Sequence, residues 1–541
     1  MFRSCTILAL LSLPLAAVEL PAVFSDHAVL QAGADTPVWG TGRDGESIRV
    51  AIGAVRASTT VTGGRWMVRL AGLKPSSSGQ DLVVQGDTTR TVRDVLIGDV
   101  WLCSGQSNME WRVNQSHNGS EAAAQATDAG IRFFHVPHTT ATVPATDVKA
   151  QWKIVSPTTI GNYSAVSYHF ARDLRRTRSQ PVGLLGSYWG ATSAQSWTST
   201  EALTAPPAFS HYLEAKATFL KDYDRLKAAW PETKAAFDAA VARVNASNAD
   251  AKATWEQAAA EAKANGRKSP VKPKTIPQPK RVYHPDENPS VPTYLFNGMI
   301  SPLAPYALTG VIWYQGESNS GAAAEYASLF PRLIQDWRGH WGRDDLPFLF
   351  VQVSTWKEPQ QSPIEDGDIP RVRQAQLAAL ALPRTGMTSA LDINDGSDIH
   401  PANKQIVGER LAQVARRVAY GEAVACDHPS IRGVTRAGNV LRVHLDHAEG
   451  LRVAVPPWLG SKATVPSATV PVSLAVCGED GVWQWATAQI EGSDLLLSSD
   501  LVPQPVAAAH AWAPNTAINL YNAAGLPLLP FVSDSARLPT P

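Results

Sequence analysis

The sequence predicts an α/β protein: a parallel sheet covered by helices on both faces and flanked at each end by β-rich segments. Three observations predict it. In the middle of the chain apolar runs alternate with amphipathic stretches. At both ends, short alternating runs are broken by Gly, Asp and Ser, the texture of antiparallel strands. One long Ala-, Lys- and Glu-rich segment interrupts the central alternation.

A chain of 541 residues is too long for one ordinary core, so two or three domains are expected. Acidic and basic side chains balance at 48 each, so no net field draws the protein to nucleic acid, an anionic membrane or an acidic polymer. A neutral substrate fits that balance better.

The elements follow in order. Residues 1–17 carry one Arg, a short apolar run and then small residues, the grammar of a signal peptide. The competing reading is a buried first strand or helix, and a lipid anchor is disfavoured because Cys5 precedes the apolar run. No later stretch approaches the roughly 20 apolar residues needed to cross a bilayer. The expectation is therefore a secreted or periplasmic protein without a membrane span.

Residues 18–95, with Thr36-Pro-Val-Trp-Gly and Gly64-Arg-Trp-Met-Val-Arg-Leu, read as an N-terminal β domain. Residues 96–425 read as the α/β core. Its strands are Val95-Leu-Ile-Gly-Asp-Val-Trp-Leu-Cys, Val182-Gly-Leu-Leu-Gly-Ser-Tyr-Trp, Leu308-Thr-Gly-Val-Ile-Trp-Tyr and Phe348-Leu-Phe-Val-Gln-Val. Amphipathic stretches at 164–176, 322–337 and 402–418 lie between or after them, which implies right-handed crossovers. A helical insertion is expected at 212–281, with two or three long helices to about Arg267 and a Pro- and Lys-rich linker after them. It reads as a solvated arm, or alternatively as a lid over the site. Residues 426–541 read as a C-terminal β-rich domain, with Leu441-Arg-Val-His-Leu and Asp494-Leu-Leu-Leu-Ser. Cys426 and Cys477 both fall there and can be paired in an oxidising compartment, whereas Cys103 reads as a small buried hydrophobe.

Four segments carry chemistry, and each follows a predicted strand, where a parallel sheet gathers its ligands. In Ser104-Gly-Gln-Ser-Asn-Met-Glu-Trp, Ser107 sits where a strand gives way to a helix start and its N–H can face an anion. The segment is not Gly-x-Ser-x-Gly, since position 109 is Met, and a helix-capping serine explains it equally well. In Trp313-Tyr-Gln-Gly-Glu-Ser-Asn, Gln315 offers an amide to an oxyanion, and Glu317 can orient the loop or touch substrate. A self-satisfied polar loop is the bland alternative. In Asp392-Ile-Asn-Asp-Gly-Ser-Asp-Ile-His-Pro-Ala-Asn-Lys, an Asp can hold the His400 imidazole at Nδ1 and leave Nε2 to take a hydroxyl proton. A calcium loop is disfavoured there, because the Gly is one position early and the closing Glu is missing. In Gly186-Ser-Tyr-Trp-Gly-Ala-Thr, Gly190 can donate a backbone N–H. No Cys or His spacing suggests zinc, and His169 on a helical apolar face reads as structural.

These residues resemble the sialate O-acetylesterase-like proteins of the SGNH-hydrolase superfamily of carbohydrate esterases. The resemblance extends to Leu20-Pro-Ala-Val-Phe-Ser-Asp-His-Ala-Val-Leu-Gln, Phe296-Asn-Gly-Met-Ile-Ser-Pro-Leu and Asn519-Leu-Tyr-Asn-Ala-Ala-Gly-Leu-Pro. It implies a flavodoxin-like three-layer α/β/α core with β-sandwich accessory domains and the helical insertion. It also implies a serine esterase that needs no metal or cofactor and acts on an acetylated carbohydrate, sialic acid or a plant polysaccharide such as xyloglucan. Ser107 would be the nucleophile, His400 the base and Asp398 the acid, with Asp395 or Asp392 as substitutes. The oxyanion would be held by Ser107, Gly190 and Gln315, with Asn108 and Glu317 in support. Two departures stand out. The family's Trp-Gly-Gly-Thr is Trp189-Gly190-Ala191-Thr192 here, which leaves Ala191 as an alternative donor. The acid usually lies three residues before the His, but that position is Ser397. Trp111, Trp197 and Trp356 are candidates to stack on sugar rings or to serve as core. The competing functions are a lipase or thioesterase on the same scaffold and a non-catalytic carbohydrate-binding protein.

Overall fold

A computed structural model describes residues 18–204, 209–394, 396–458 and 466–539; the expected leader at 1–17 and Asp395 lie outside them. The stretch Val95 to Gly105 is buried throughout, so it needs cover on both faces. It is the second half of one strand, β1 (Thr89–Gly105). Its first half pairs antiparallel with Ser76–Gln85 in the N-terminal β region, and its second half is the centre of a parallel sheet. The expected boundary at residue 95 therefore falls inside a continuous strand. A change of burial pattern from alternating to fully buried marks a change of neighbours, and the backbone here runs straight through it.

The other parallel strands are β2 (Ile131–His135), β3 (Val182–Tyr188), β4 (Gly310–Tyr314), β5 (Phe348–Gln352) and β6 (Thr385–Ser389). The order across the sheet is β6-β5-β4-β1-β3-β2, with Trp152–Ile154 antiparallel at the β2 edge. Successive residues serve opposite layers. Trp101, Cys103, Ile312 and Leu349 join one cluster with the helices α1 (Ala165–Arg178) and α3 (Lys404–Val418). Leu102, Val311, Trp313 and Phe350 join another with α2 (Ala323–Trp341) and the helix Asp368–Gln376. After β1 the chain goes out to β2, returns to β3 and then crosses to β4 on the other side. The strand order thus reverses at β1, and the crevice beyond its carboxyl end is the place for a ligand.

Three exposed helices, Ser210–Lys221, Tyr223–Ala228 and Trp230–Ala264, form the insertion and bury no residue. The chain that returns from them is pinned to the long helix, as where Asn248 and Ile276 exchange two hydrogen bonds. At its base Lys216 donates to Thr293 at 2.7 Å and Lys227 pairs with Asp286 at 3.0 Å. Among the described residues no helix is long and apolar enough to cross a membrane.

In the C-terminal region two antiparallel sheets enclose Leu441, Val443, Leu474, Val476, Leu495, Leu497 and Phe531. The region is fastened to the core by charges kept out of water and fully engaged. Buried Arg373 donates to the carbonyls of Val353, Ser354, Ala513 and Pro514. Asp392 makes a two-pronged pair with Arg410 at 2.7 Å and accepts from Tyr521. The expected Cys426–Cys477 bridge is absent: both thiols are free and buried, Cys426 in the core cluster and Cys477 in a separate cluster with Trp483. Falling in the same C-terminal stretch did not bring them into the same cluster.

Candidate active site

β1 ends at Gly105 in a left-handed conformation, φ 138°, where a Cβ would lie 2.2 Å from the Tyr314 carbonyl. Only glycine lets the two strands close there. Gln106 then donates its N–H to the Tyr314 carbonyl at 3.0 Å and accepts from the N–H groups of Gly316 and Ser318. These bonds tie the turn after β1 to the loop after β4. A single helical turn, Ser107–Glu110, follows, and the N–H of Ser107 in it has no acceptor within the helix.

The loop after β6 brings His400 to this turn. His400 Nε2 lies 2.9 Å from Ser107 Oγ. His400 Nδ1 lies 2.8 Å from Asp398 Oδ1, which also accepts the His400 backbone N–H at 2.9 Å. The spacing of two, unusual against a spacing of three, is thus met by the same carboxylate oxygen taking both ring and backbone hydrogens. Asp398 is 61% exposed and His400 22%. Of the substitutes, Asp392 is committed to Arg410 and Tyr521.

Trp111 stacks on the imidazole, ring centroids 4.8 Å apart and planes at 21°, so it supports the His400 ring and not a sugar ring. Trp197 is fully buried, donates to Thr192 and packs edge-on to Trp313, which makes it core. Trp356 stays half-buried beside the C-terminal region, where its backbone N–H donates to the Pro514 carbonyl. Burial sets the His400 imidazole below its ordinary value, Asp398 opposes this, and the ammonium of Lys404 adds to it. A base held neutral near neutral pH can accept the serine proton.

The oxyanion side differs from expectation. Gly190 lies against Ser107, but its N–H donates to Glu110 Oε2 at 2.6 Å. Glu110 also pairs with His138 at 3.2 Å, and His138 lies flat on Trp189 at 4.1 Å. Burial would raise the Glu110 carboxyl, but His138 and the Gly190 N–H outweigh it and keep it charged. Gln315 is fully buried, and its amide donates to Asn319 Oδ1 at 2.7 Å and to the Thr192 carbonyl at 3.3 Å. Both its hydrogens are spent, so it does not present a donor to Ser107. It braces the loops after β3 and β4, because a polar side chain sealed between loops must satisfy itself there.

Asn108 and Glu317 come together beside Ser107. Asn108 Nδ2 donates to Glu317 Oε1 at 2.6 Å and to the Ile399 carbonyl at 3.2 Å, and its Oδ1 accepts from Lys404 Nζ. Sequence reasoning missed Lys404 and Glu110. Both stood within the quoted motifs, but nothing in their spacing reports that one would be buried and the other turned onto a backbone N–H.

A hydroxyl, an imidazole and a carboxylate are thus gathered in one hydrogen-bonded line at the switch point of a parallel sheet, where such folds hold their ligands. Comparison with known proteins narrows this. Residues 292–417 match the model of the carbohydrate esterase, sialic acid-specific acetylesterase family. Sialate O-acetylesterase of Mus musculus is 31% identical over 71% of this chain and 70% of its own length, and that of Homo sapiens is 30% identical over 74% and 70%. A crystal structure of a carbohydrate acetylesterase from Xanthomonas citri superposes with TM-score 0.74 and 30% identity, over 96% of this chain and all of the other. The fold is that of an SGNH-type carbohydrate acetylesterase, with a central sheet between helices and additional antiparallel sheets as accessory regions. The chain belongs to the sialate O-acetylesterase family, whose members are carboxylic ester hydrolases.

Proposed function

We propose that the protein releases acetate from O-acetylated sugars through an acetyl-Ser107 intermediate, and that it acts outside the cytoplasm after loss of residues 1–17. One observation carries the mechanism: the line from Ser107 Oγ to His400 Nε2 and from His400 Nδ1 to Asp398, at 2.9 and 2.8 Å. As Ser107 Oγ attacks the acetyl carbonyl, its proton passes to His400 Nε2 and the carbonyl electron pair becomes an oxyanion. Collapse expels the sugar oxygen, which takes that proton. Water then attacks the acetyl-enzyme, gives a proton to His400, and a second collapse frees acetate and returns the proton to Ser107. Asp398 holds the ring in the tautomer that leaves Nε2 free and stabilises its charged form.

The oxyanion is met first by the Ser107 N–H. The Gly190 N–H joins it once the Glu110 carboxylate has moved aside, a shift toward the His138 that it already contacts. The sialate named for the curated relatives is one acetylated sugar to which this chemistry applies.

The test is hydrolysis of p-nitrophenyl acetate by the protein and by Ser107→Ala and His400→Ala. Turnover is expected to fall by roughly 10⁴-fold or more in each with folding retained. Unchanged rates in both variants end the serine-esterase reading, and faster cleavage of octanoyl than acetyl esters moves the protein to lipid or thioester substrates.

A further inference from the structure

Lys404, the first residue of α3, is fully buried, a state that lysine almost never adopts without a partner. Its ammonium donates to Asn108 Oδ1 and lies 5.6 Å from the Trp111 ring and 5.3 Å from the Tyr314 ring. Its counter-charge is reached through the same amide, since Asn108 Nδ2 donates to Glu317 Oε1. The second oxygen, Glu317 Oε2, is shut off from solvent with no hydrogen-bond partner. Two opposite charges kept from water at this desolvation cost, and separated by one amide, are poor stability devices. What they share is position. Asn108 follows Ser107 directly and grips the carbonyl of Ile399, which directly precedes His400. Trp111, drawn toward the ammonium, is the ring on which His400 rests.

We propose that Lys404 is a positioning residue of the esterase reaction. Its ammonium, acting through Asn108 and Trp111 with Glu317 as counter-charge, keeps the Ser107 hydroxyl and the His400 imidazole in register. The inference rests on the roles given to Ser107 and His400 above. The groups that face the ammonium are Glu317 and the Tyr314 ring from the end of β4 and its loop, Asn108 and Trp111 from the Ser107 turn, and Asp398 and His400 from its own loop. Burial brings Lys404 down to about 7, while Glu317 and then Asp398 hold it up. Its charge is therefore lost as pH rises through that value, and kcat falls on the alkaline side for want of the ammonium. On the acid side kcat falls as His400 gains its proton.

The experiment measures kcat and KM for p-nitrophenyl acetate across pH in the whole protein, with folding followed by thermal melting. Lys404→Met is expected to lower kcat by about 100-fold, the cost of a reacting group misplaced by about 1 Å, with KM little changed and the alkaline limb abolished. Glu317→Gln removes the charge that favours the ammonium, so its alkaline limb moves to lower pH. A folded Lys404→Met with wild-type kcat and an unaltered alkaline limb overturns the proposal. Where Lys404→Met does not fold, Glu317→Gln decides, and an unmoved alkaline limb is the refuting result. Ser107→Ala and His400→Ala are measured alongside. Activity in those two strikes the serine-esterase reading itself, whereas their inactivity beside a fully active Lys404→Met strikes only the role of Lys404.

Discussion

On one side of Ser107 the hydroxyl, imidazole and carboxylate already stand in a hydrogen-bonded line; on the other, two of the three expected oxyanion donors, Gly190 and Gln315, are turned toward partners within the protein. The contrast follows from what each side is complementary to. Proton donor and acceptor in the Ser107–His400–Asp398 line satisfy one another in the resting protein. Oxyanion donors are complementary to a charge that exists only in the transition state. Without that charge a backbone N–H at the rim takes the nearest acceptor, and for Gly190 this is the Glu110 carboxylate. Gln315 is a different case, because a fully buried amide must be satisfied permanently and its partners are other loops.

The largest expected effect that tests this contrast is Asp398→Asn. Loss of a triad acid to its amide can cost about 10⁴-fold in kcat; an acid as exposed as Asp398 leaves room for water to help, so a fall of at least about 100-fold is expected. Asp395→Asn should cost far less, and the reverse ranking in the same assay transfers the role. Next is the acid side of the pH profile of kcat/KM. The base must be neutral, and His400 lies below its ordinary 6.5, so activity persists below that pH and then falls by about tenfold per unit. A midpoint above 6.5 breaks the account of the imidazole. Gln315→Ala sharpens the other half of the site. A true oxyanion donor costs on the order of 10² to 10³ in kcat, so a smaller loss of about tenfold or less, with a drop in melting temperature, fits a brace. The smallest effect belongs to Glu110→Gln. It keeps an acceptor for Gly190 but removes the charge, and charge-assisted bonds are about twice as strong as neutral ones, so a modest rise in kcat is expected. A large fall in kcat instead makes Glu110 a group that the Gly190 loop needs in place.

The strand ends were the most legible part of the molecule. Mainly apolar runs at Val95, Val182, Leu308 and Phe348 announce strands buried on both faces, and the polar segments after them had to meet at one edge of a parallel sheet. That logic placed Ser107, Gly190 and Gln315 at one edge, whereas His400 and Asp398 follow β6 (Thr385–Ser389), a strand with too little apolar character to be announced in the sequence. It was silent on β1, where one backbone serves two sheets, because patterning reports which faces are covered and not where a strand stops. It was equally silent on Trp197 and on the two cysteines, whose types suit a binding face or a bridge as well as a core.

What the order of residues determined by itself was the alternation of strand and helix, and with it the chemistry gathered beyond β1. Only the tertiary structure decided which hydrogen-bond donors are spent and which are free: Gln315 inward, Gly190 on Glu110, Lys404 sealed beneath Ser107. The physical reason is that periodicity is a local property of the chain. Satisfying a buried polar group depends on partners drawn from segments up to hundreds of residues away, such as the 296 that separate Asn108 from Lys404.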